Sequence, residues 1–309
     1  MEAANRQKWL IVILGPTAVG KTALSVELAR HYSSEILSCD SRQIFQEMSI
    51  GVSRPSQQEL SAVPTHFIAS HSIHERYSAG QYGAEALQLL GELFDRHNKV
   101  FCCGGSMLYL DAIINGFDNL PGDEAVRQEL NMRLEKFGLV SLQEQLRVLD
   151  PKYYAEVDLN NPHRLVRALE VCLVTGNSFS DQRTGKKLEL PFSVCKIGLK
   201  MARETLRKRI DSRVDQMFED GLLDEVKSLI EARHLQSLNT VGYKELFEYL
   251  DGHISLAHAK ELIKVHTAQF AKRQTTWWKR QSDIHWLDAE QSHLPLLAQS
   301  YIQLVTQAQ

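Results

Sequence analysis

Residues Trp9–Thr22, WLIVILGPTAVGKT, decide the fold of this chain. The first six, Trp9–Leu14, are all apolar, and such a run without polar alternation predicts a strand covered on both faces. Gly15–Thr22 has the pattern G-x-x-x-x-G-K-T, and Thr22–His31 has the spacing of an amphipathic helix. A strand, this loop and a helix in that order predict a phosphate loop, in which backbone N–H groups surround a diphosphate or a longer polyphosphate.

The loop contains the first set of candidate site residues. Those expected to bind a diphosphate or nucleotide are Gly15, Pro16, Thr17, Ala18, Val19, Gly20, Lys21 and Thr22. Lys21 can reach the outer phosphates, and the hydroxyl of Thr22 can ligate Mg²⁺. The pattern specifies the phosphates but not a nucleotide, so the group attached to them stays open.

Short apolar segments recur along the chain and alternate with helical patterns. The further predicted strands are Glu35–Cys39, His66–Ala69, Val100–Cys103, Val194–Leu199 and Ile284–Leu287. Strands that alternate with helices predict an α/β fold with a parallel sheet, here a P-loop kinase-like core. Helices predicted after Leu199 are Arg203–Asp220, Leu222–His234, Gly242–Leu250 and Ser255–Arg280.

The alternation stops in the middle of the chain, where only helical patterns occur. Three helices are predicted there, at Asp123–Phe137, Ser141–Leu149 and Pro162–Thr175, each bounded by Pro, Gly or both. We therefore expect a small all-helical domain, residues 117–191, inserted into an α/β core made of residues 1–116 and 192–309.

The composition is that of an ordinary globular protein: 309 residues, 43% hydrophobic, 24% charged and a net charge of −3. It excludes collagen-like, disordered and disulfide-scaffold proteins, and a chain that is basic throughout. The longest apolar run is too short for a membrane span or a signal peptide. The five cysteines form no C-x-x-C pair, and the 12 histidines have no metal-ligand spacing with cysteine. We expect a cytoplasmic protein with reduced thiols and no membrane partner.

Two further loops are expected beside the phosphate loop, because the carboxyl ends of parallel strands share one edge of a sheet. Asp40 follows the second strand and fits a general base or an outer-sphere partner of Mg²⁺; alternatively it caps the next helix. Gly104, Gly105 and Ser106 follow the strand Val100–Cys103, and their glycines permit either close ligand approach or a tight turn.

Basic residues concentrate near the C-terminal end. Residues 260–280 contain six basic side chains and one acidic side chain, a net charge of +5, with Trp277 and Trp278 among them. This pattern is typical of nucleic-acid contact, but a solvated basic face with both tryptophans in the core fits equally. Arg209 and Arg213 can clamp phosphate oxygens or pair with nearby Asp211 or Asp215, and the same ambiguity applies to Arg164 and Arg167.

Taken together, the motifs resemble those of bacterial tRNA dimethylallyltransferases. The matching stretches are GPTAVGKT (Gly15–Thr22), DSRQ (Asp40–Gln43), GGSMLY (Gly104–Tyr109), HRLVRALE (His163–Glu170), VGYKE (Val241–Glu245) and KRQTTWWK (Lys272–Lys279). They occur in the family's order, and the resemblance runs from about residue 9 to 288. The helical interruption is similar to the family's inserted domain.

The resemblance implies transfer of a dimethylallyl group from dimethylallyl diphosphate to N6 of adenosine 37, beside the anticodon of tRNA, with release of diphosphate. The catalytic residues it implies are Asp40 as the base, with Lys21, Thr22 and Arg213 on the diphosphate. The tRNA-binding residues it implies are Asp40, Ser41, Arg42, Gln43, Ser106, Arg127, His163, Arg164, Leu165, Val166, Arg167, Asn239, Thr240, Val241, Gly242, Tyr243, Lys244, Lys272, Arg273, Gln274, Thr275, Thr276, Trp277, Trp278 and Lys279. The cofactor it implies is Mg²⁺, bound by Thr22, and the partners it implies are the tRNA anticodon stem-loop and dimethylallyl diphosphate.

The sequence departs from the family at two positions. Ser106 stands where Thr is usual, which keeps the hydroxyl, and Asn239 stands where Arg is common, which removes a cation. Nothing in the sequence demands more than a monomer. The competing hypotheses are a P-loop small-molecule kinase, a prenyltransferase acting on free adenine nucleotides, and a non-catalytic NTPase that binds nucleic acid.

Overall fold

The structure is a computed structural model that describes residues 7–118, 120–183, 185 and 188–307. Its sheet has six parallel strands in the order β3-β2-β4-β1-β5-β6, which confirms the predicted parallel α/β fold. The strands are β1 Trp9–Leu14, β2 Ile36–Cys39, β3 Thr65–His66, β4 Lys99–Gly104, β5 Ser193–Lys200 and β6 Ile284–Asp288. The expected strand at His66–Ala69 is shorter because Phe67 and Ala69 have positive φ and leave the extended conformation.

Helices connect the strands and extend the chain beyond them. The helices before β5 are α1 Lys21–His31, α2 Gln57–Ala62, α3 Ala79–Arg96, α4 Met107–Ile114, α5 Glu124–Leu149, α6 Pro151–Glu156, α7 Pro162–Thr175 and α8 Phe179–Gln182. Those after β5 are α9 Arg203–Glu219, α10 Leu222–Ser228, α11 Tyr243–Leu250, α12 Leu256–Trp278 and α13 Leu294–Gln307. Within the described residues, no helix combines the length and apolar content that crossing a membrane requires.

One predicted helix is shorter than expected. Leu222–His234 was expected to be one helix, but α10 ends at Ser228 and 3₁₀ turns follow at Ile230–Ala232 and Gln236–Leu238. The hydroxyl of Ser228 bonds to the carbonyl of Glu225, a local bond that competes with continued helix. The chain then continues with tighter bonds, such as Leu229 N–H to the carbonyl of Val226.

Both faces of β1 are buried, as its continuous apolar sequence predicts. Leu10, Val12 and Leu14 belong to one cluster of buried side chains. Trp9, Ile11 and Ile13, which point to the other face, belong to a second cluster with α1 and α13. The sheet is therefore the centre of a helix–sheet–helix arrangement, and its strand ends carry the loops.

The strand register brings three loops to one edge of the sheet. Cys39 lies opposite Gly104, and Ile13 lies opposite Cys103, so the strands β1, β2 and β4 end at nearly the same level. A Cβ atom on Gly104 would lie 1.9 Å from the carbonyl oxygen of Cys39. Glycine is therefore the residue that lets β2 and β4 come this close at the edge.

The chain divides into two compact units, Met1–Asn115 with Glu189–Gln309, and Gly116–Leu188. The expected boundaries, 117 and 191, differ from the second unit's by one and three residues. Described by itself, the second unit consists of α5–α8, and its core includes Leu142, Leu146 and Leu169. Gly138, with φ 73° and ψ 179°, interrupts α5 where two separate helices were expected.

Candidate active site

The phosphate loop begins where β1 ends and leads into α1. Gly20 precedes the helix with φ 107°, and no side chain caps the first turn, so the first N–H groups of α1 are open to an anion. Gly15 has φ 145°, and a Cβ there would lie 2.7 Å from the carbonyl oxygen of Leu199. Ala18 also has positive φ, 65°, and it is buried against Ile210 and Ala271. Packing therefore holds a backbone conformation that alanine seldom adopts.

Lys21 is the cation at the base of this loop. Its Nζ donates a hydrogen bond to the carbonyl oxygen of Pro16 at 2.8 Å. Burial, with a smaller contribution from the charge of Arg213, lowers the pKa of Lys21 to about 8 against the opposing effects of Cys103 and Asp40. An ammonium group held in a desolvated loop gains most from an anionic ligand, which fits the predicted contact with a diphosphate.

Asp40 follows β2 at the same edge. Its Oδ1 accepts hydrogen bonds from the backbone N–H groups of Arg42, at 2.9 Å, and Gln43, at 3.3 Å. Asp40 thus stabilises a turn, but no helix begins there, so the alternative that it caps the next helix is wrong. The other carboxylate oxygen, Oδ2, has no hydrogen-bond partner in the described part of the chain, so Asp40 can hold the turn and still accept a proton.

The residues after Asp40 are fixed by contacts with distant segments. Arg42 donates to the carbonyl oxygen of Ser237 at 2.9 Å, and Gln43 donates to that of Ser53 at 2.9 Å. Burial lowers the pKa of the Arg42 guanidinium, partly offset by the charge of Asp40. Ser41 is half-buried. The turn is therefore rigidly placed, and a role for Ser41, Arg42 and Gln43 in holding an adenosine stays a prediction.

The third loop, Gly104–Ser106, is attached to its neighbours through the backbone. The N–H group of Ser106 donates to the carbonyl oxygen of Cys39 at 3.1 Å. The carbonyl oxygen of Gly105 accepts a hydrogen bond from the side chain of Gln274 at 3.0 Å. Thr22, Ser38 and Gln43 line an adjoining cleft.

The structure resolves the ambiguity about Arg209 and Arg213 on α9. Asp211 pairs with Arg207 at 2.8 Å, and Asp215 pairs with Lys260 and Lys264, both at 2.9 Å. Neither Arg209 nor Arg213 forms an ion pair in the described part of the chain. Arg213 is exposed, and Arg209 donates to the carbonyl oxygen of Val19 at 3.4 Å. The charge of Glu59 acts on Arg213 without a direct ion pair, so both guanidinium groups are available to a phosphate.

The basic stretch of α12 divides into two parts. Lys260 and Lys264 pair with Asp215, whereas Lys272, Arg273 and Lys279 are exposed. Thr276 is also exposed, and Thr275 and Trp277 are half-buried. The expectation that Trp278 stacks on a base is wrong, because Trp278 is 1% exposed and packs in the core. Gln274, 2% exposed, is likewise too buried for direct contact with tRNA.

Residues 239–244 likewise include both accessible and buried side chains. Asn239 and Lys244 are exposed, and Thr240 and Val241 are half-buried. The expectation that Tyr243 contacts tRNA is wrong, because Tyr243 is fully buried and its hydroxyl donates to Glu225 at 2.6 Å. Gly242 is buried as well.

Glu225 is a structural residue that sequence reasoning missed. Its carboxylate accepts hydrogen bonds from the backbone N–H groups of Ser49, Ile50 and Gly51, at 2.7–3.0 Å. Together with Tyr243 it holds the segment that follows Gln43. The three backbone partners lie 174–176 residues from Glu225 in the chain, so no local pattern reveals them.

In the helical unit, Arg127 and Arg167 both pair with the buried Glu170, at 2.7 and 2.9 Å. Leu165 and Val166 are buried in the unit's core, which corrects the expectation that they contact tRNA. His163 and Arg164, by contrast, are exposed, so these two remain available for contact.

The comparisons with known proteins agree with this geometry. A family model described as IPP transferase matches residues 43–281. The tRNA dimethylallyltransferase 1 of Bacteroides thetaiotaomicron is 48% identical over 283 residues, which cover 91% of this chain and 92% of that protein. The tRNA dimethylallyltransferase of Flavobacterium johnsoniae is 48% identical over 288 residues, covering 91% and 93%.

Solved structures give the same result. The tRNA isopentenylpyrophosphate transferase of Bacillus halodurans superimposes with a TM-score of 0.73 at 34% identity, covering 98% of both chains. A eukaryotic dimethylallyltransferase acting on tRNA gives a TM-score of 0.79 at 25% identity, covering 97% of this chain and 80% of that one. With relatives of this similarity along nearly its whole length, and with a phosphate loop and Asp40 at one sheet edge, this chain belongs to the IPP transferase family.

Proposed function

We propose that this protein transfers a dimethylallyl group from dimethylallyl diphosphate to N6 of the adenosine beside the anticodon of tRNA, releasing diphosphate. The curated relatives named tRNA dimethylallyltransferase support this proposal. The observation that carries it is the placement of Asp40, with one free carboxylate oxygen, at the edge that also holds the phosphate loop.

In this proposal, the exocyclic amine attacks C1 of the allylic diphosphate. The N6–C1 bond forms, the C1–O bond breaks, and the bridging electron pair leaves with the diphosphate. Asp40 accepts the proton released from N6 through its free oxygen. The open N–H groups of α1, Lys21 and Arg213 stabilise the negative charge that builds up on the leaving group.

Mg²⁺ fits the donor set at this site. The hydroxyl of Thr22 and the carboxylate of Asp40 are oxygen donors, which Mg²⁺ prefers, and Mg²⁺ in phosphate sites needs only one or two protein ligands beside substrate oxygens and waters. The described residues hold no cluster of three His, Cys, Asp or Glu side chains that could bind a metal alone. We propose that Thr22 ligates Mg²⁺ when a diphosphate is present, and that the ion supplies neutralising charge there.

Exposed cations supply the contacts proposed for tRNA. In the first unit these are Lys272 and Arg273 on α12, Lys279 directly after that helix, and Lys244 on α11. In the helical unit they are Arg164 and, in its protonated form, His163. Phosphate contacts of this kind give affinity without reading sequence, so identification of the target adenosine must depend on the base itself entering the site.

A labelling experiment tests the proposal. Dimethylallyl diphosphate with a labelled prenyl group is offered with tRNA, with AMP, ADP or ATP, or without acceptor, and ATP hydrolysis is followed in parallel. Label in tRNA alone, at the expected adenosine, supports the proposal. Label in a free nucleotide indicates a nucleotide prenyltransferase, and phosphoryl transfer from ATP without prenyl transfer indicates a kinase.

A further inference from the structure

Gln274, on α12, joins two loops of the active site through one buried amide. Its Oε1 accepts a hydrogen bond from the backbone N–H of Thr17 at 2.8 Å, inside the phosphate loop. Its Nε2 donates to the carbonyl oxygen of Gly105 at 3.0 Å, in the loop after β4. The side chain is 2% exposed, so water does not replace either bond.

The contact with Gly105 shows that both partners are matched to this arrangement. A Cβ atom on Gly105 would lie 2.1 Å from Nε2 of Gln274. Any side chain at that position would displace the amide, so glycine is required for the bond to form. Glutamine, in turn, carries both an acceptor and a donor at the end of a side chain of this length.

The same helix also packs on the phosphate loop. Ala271, one turn before Gln274, lies with Ile210 against Ala18, the residue held at φ 65°. A non-glycine residue in this region persists where its surroundings fix it. Gln274 therefore fixes the amide of Thr17, and Ala271 packs against Ala18 in its unusual conformation.

We infer that Gln274 is a positioning residue for the diphosphate site, acting by fixing the amide of Thr17 and tying the phosphate loop to the Gly105 loop. The N–H of Thr17 is then used within the protein, and the hydroxyl of Thr17 is the group left to reach a phosphate. The nest for the diphosphate consists of the later amides, those leading into α1. The identity of the ligand as a diphosphate rests on the proposed function, whereas the hydrogen bond between Gln274 and Thr17 does not.

The hydrogen bond between Thr17 and Gln274 predicts that the Thr17 amide is protected from hydrogen exchange in the unliganded wild-type protein. In amide-resolved hydrogen exchange by NMR, the N–H of Thr17 should exchange at least about tenfold more slowly than an exposed loop amide, since it is bonded and buried. Exchange of Thr17 as fast as an open loop amide would overturn the inference without any variant.

Substitution then separates positioning from packing. Gln274→Met keeps a similar volume but removes both bonds, and Gln274→Glu places a carboxylate oxygen against the carbonyl of Gly105. Gln269→Ala is the matched control, because Gln269 lies on the same helix, is exposed and belongs to none of the three loops of the site. Circular dichroism and thermal unfolding establish that each variant is folded.

The readouts are the Kd for inorganic diphosphate with Mg²⁺ by calorimetry, exchange of the Thr17 amide, and the KM for tRNA. For Gln274→Met and Gln274→Glu we expect the diphosphate Kd to rise about tenfold, as loss of one buried hydrogen bond implies. Thr17 protection should be lost in Gln274→Met but kept in Gln274→Glu, whose carboxylate still accepts from the Thr17 N–H and loses only the bond to Gly105. The KM for tRNA should stay within about twofold in both variants, because Gln274 is buried. A role in packing alone would instead weaken tRNA binding and leave Thr17 protected.

The outcomes distinguish this inference from the proposed function. If the wild-type protein transfers no prenyl group to tRNA but Thr17 is protected through Gln274, the proposed function fails and the positioning role stands. If transfer occurs while both Gln274 variants bind diphosphate with unchanged Kd, the inference is overturned and the proposed function stands.

Discussion

Replacing Lys21 by methionine should stabilise the unliganded protein while it abolishes activity. The pKa of Lys21 is lowered from 10.5 to about 8, chiefly by burial. That difference corresponds to about 3.4 kcal/mol of unfavourable free energy for the charged form in the folded state. Lys21→Met also loses the hydrogen bond to Pro16, worth about 1 kcal/mol, so we expect a net gain of about 2 kcal/mol at pH 7.

The sign of the pH dependence follows from the direction of this shift. Between pH 8 and 10.5, Lys21 binds more protons in the unfolded chain than in the folded one, so the stability of the wild type rises with pH across this window. The unfavourable free energy of the charged Lys21 in the folded state is fully present below pH 8 and disappears above pH 10.5. The advantage of Lys21→Met should therefore be largest at pH 7 and mostly gone at pH 10.

Urea unfolding, followed by fluorescence at pH 7, 9 and 10, measures the difference between the two proteins. Lys208→Met, at an exposed lysine of α9, is the control and should show no such pH-dependent difference. An unfolding free energy of Lys21→Met equal to or below that of the wild type at pH 7 would refute the argument. A difference that stays constant to pH 10 would refute it equally.

Three further predictions concern the proposed chemistry, the tRNA surface and the sheet edge. Asp40→Ala should lower kcat by about 10²–10⁴-fold while tRNA affinity in a filter-binding assay stays the same, because Asp40 acts as a base; equal turnover would contradict that role. tRNA affinity should fall as salt rises, and Lys272→Ala should reduce the slope of log K against log salt by about 1; a flat response would contradict phosphate contact. Gly104→Ala should lower the unfolding free energy by about 3 kcal/mol or more, since its Cβ would meet the carbonyl of Cys39 at 1.9 Å; unchanged thermal unfolding would rule out the close approach.

The parts of the fold that local chemistry dictates are visible in the sequence. β1 has the predicted bounds, Trp9–Leu14, because a strand buried on both faces leaves an uninterrupted apolar run. α7 also has its predicted bounds, Pro162–Thr175, because proline at its start and Gly176 at its end, with φ 72°, mark both termini chemically. The phosphate loop is visible for the same reason, since its glycines and lysine are adjacent in the chain.

The parts that depend on distant partners are not visible in this way. Both roles considered for Asp40 were open, and the structure shows that its two carboxylate oxygens differ, one bonded and one free. Trp278 and Tyr243 carry the residue types of a nucleic-acid surface, yet their burial is decided by packing against segments far away in the chain. Only the three-dimensional arrangement separates Arg213, which forms no ion pair among the described residues, from Lys264, which pairs with Asp215.

The bond between Thr17 and Gln274 has a consequence for how the enzyme is made. These residues are 257 positions apart, so the ribosome synthesises the loop first and its fixing amide much later. At about 5–20 residues per second, the delay is about 13–50 s. During that time the nascent chain already carries its phosphate-binding sequence, but without the helix that holds it in shape. The earliest part of the active site to be translated is thus among the last to be completed, and a prematurely terminated chain lacks it.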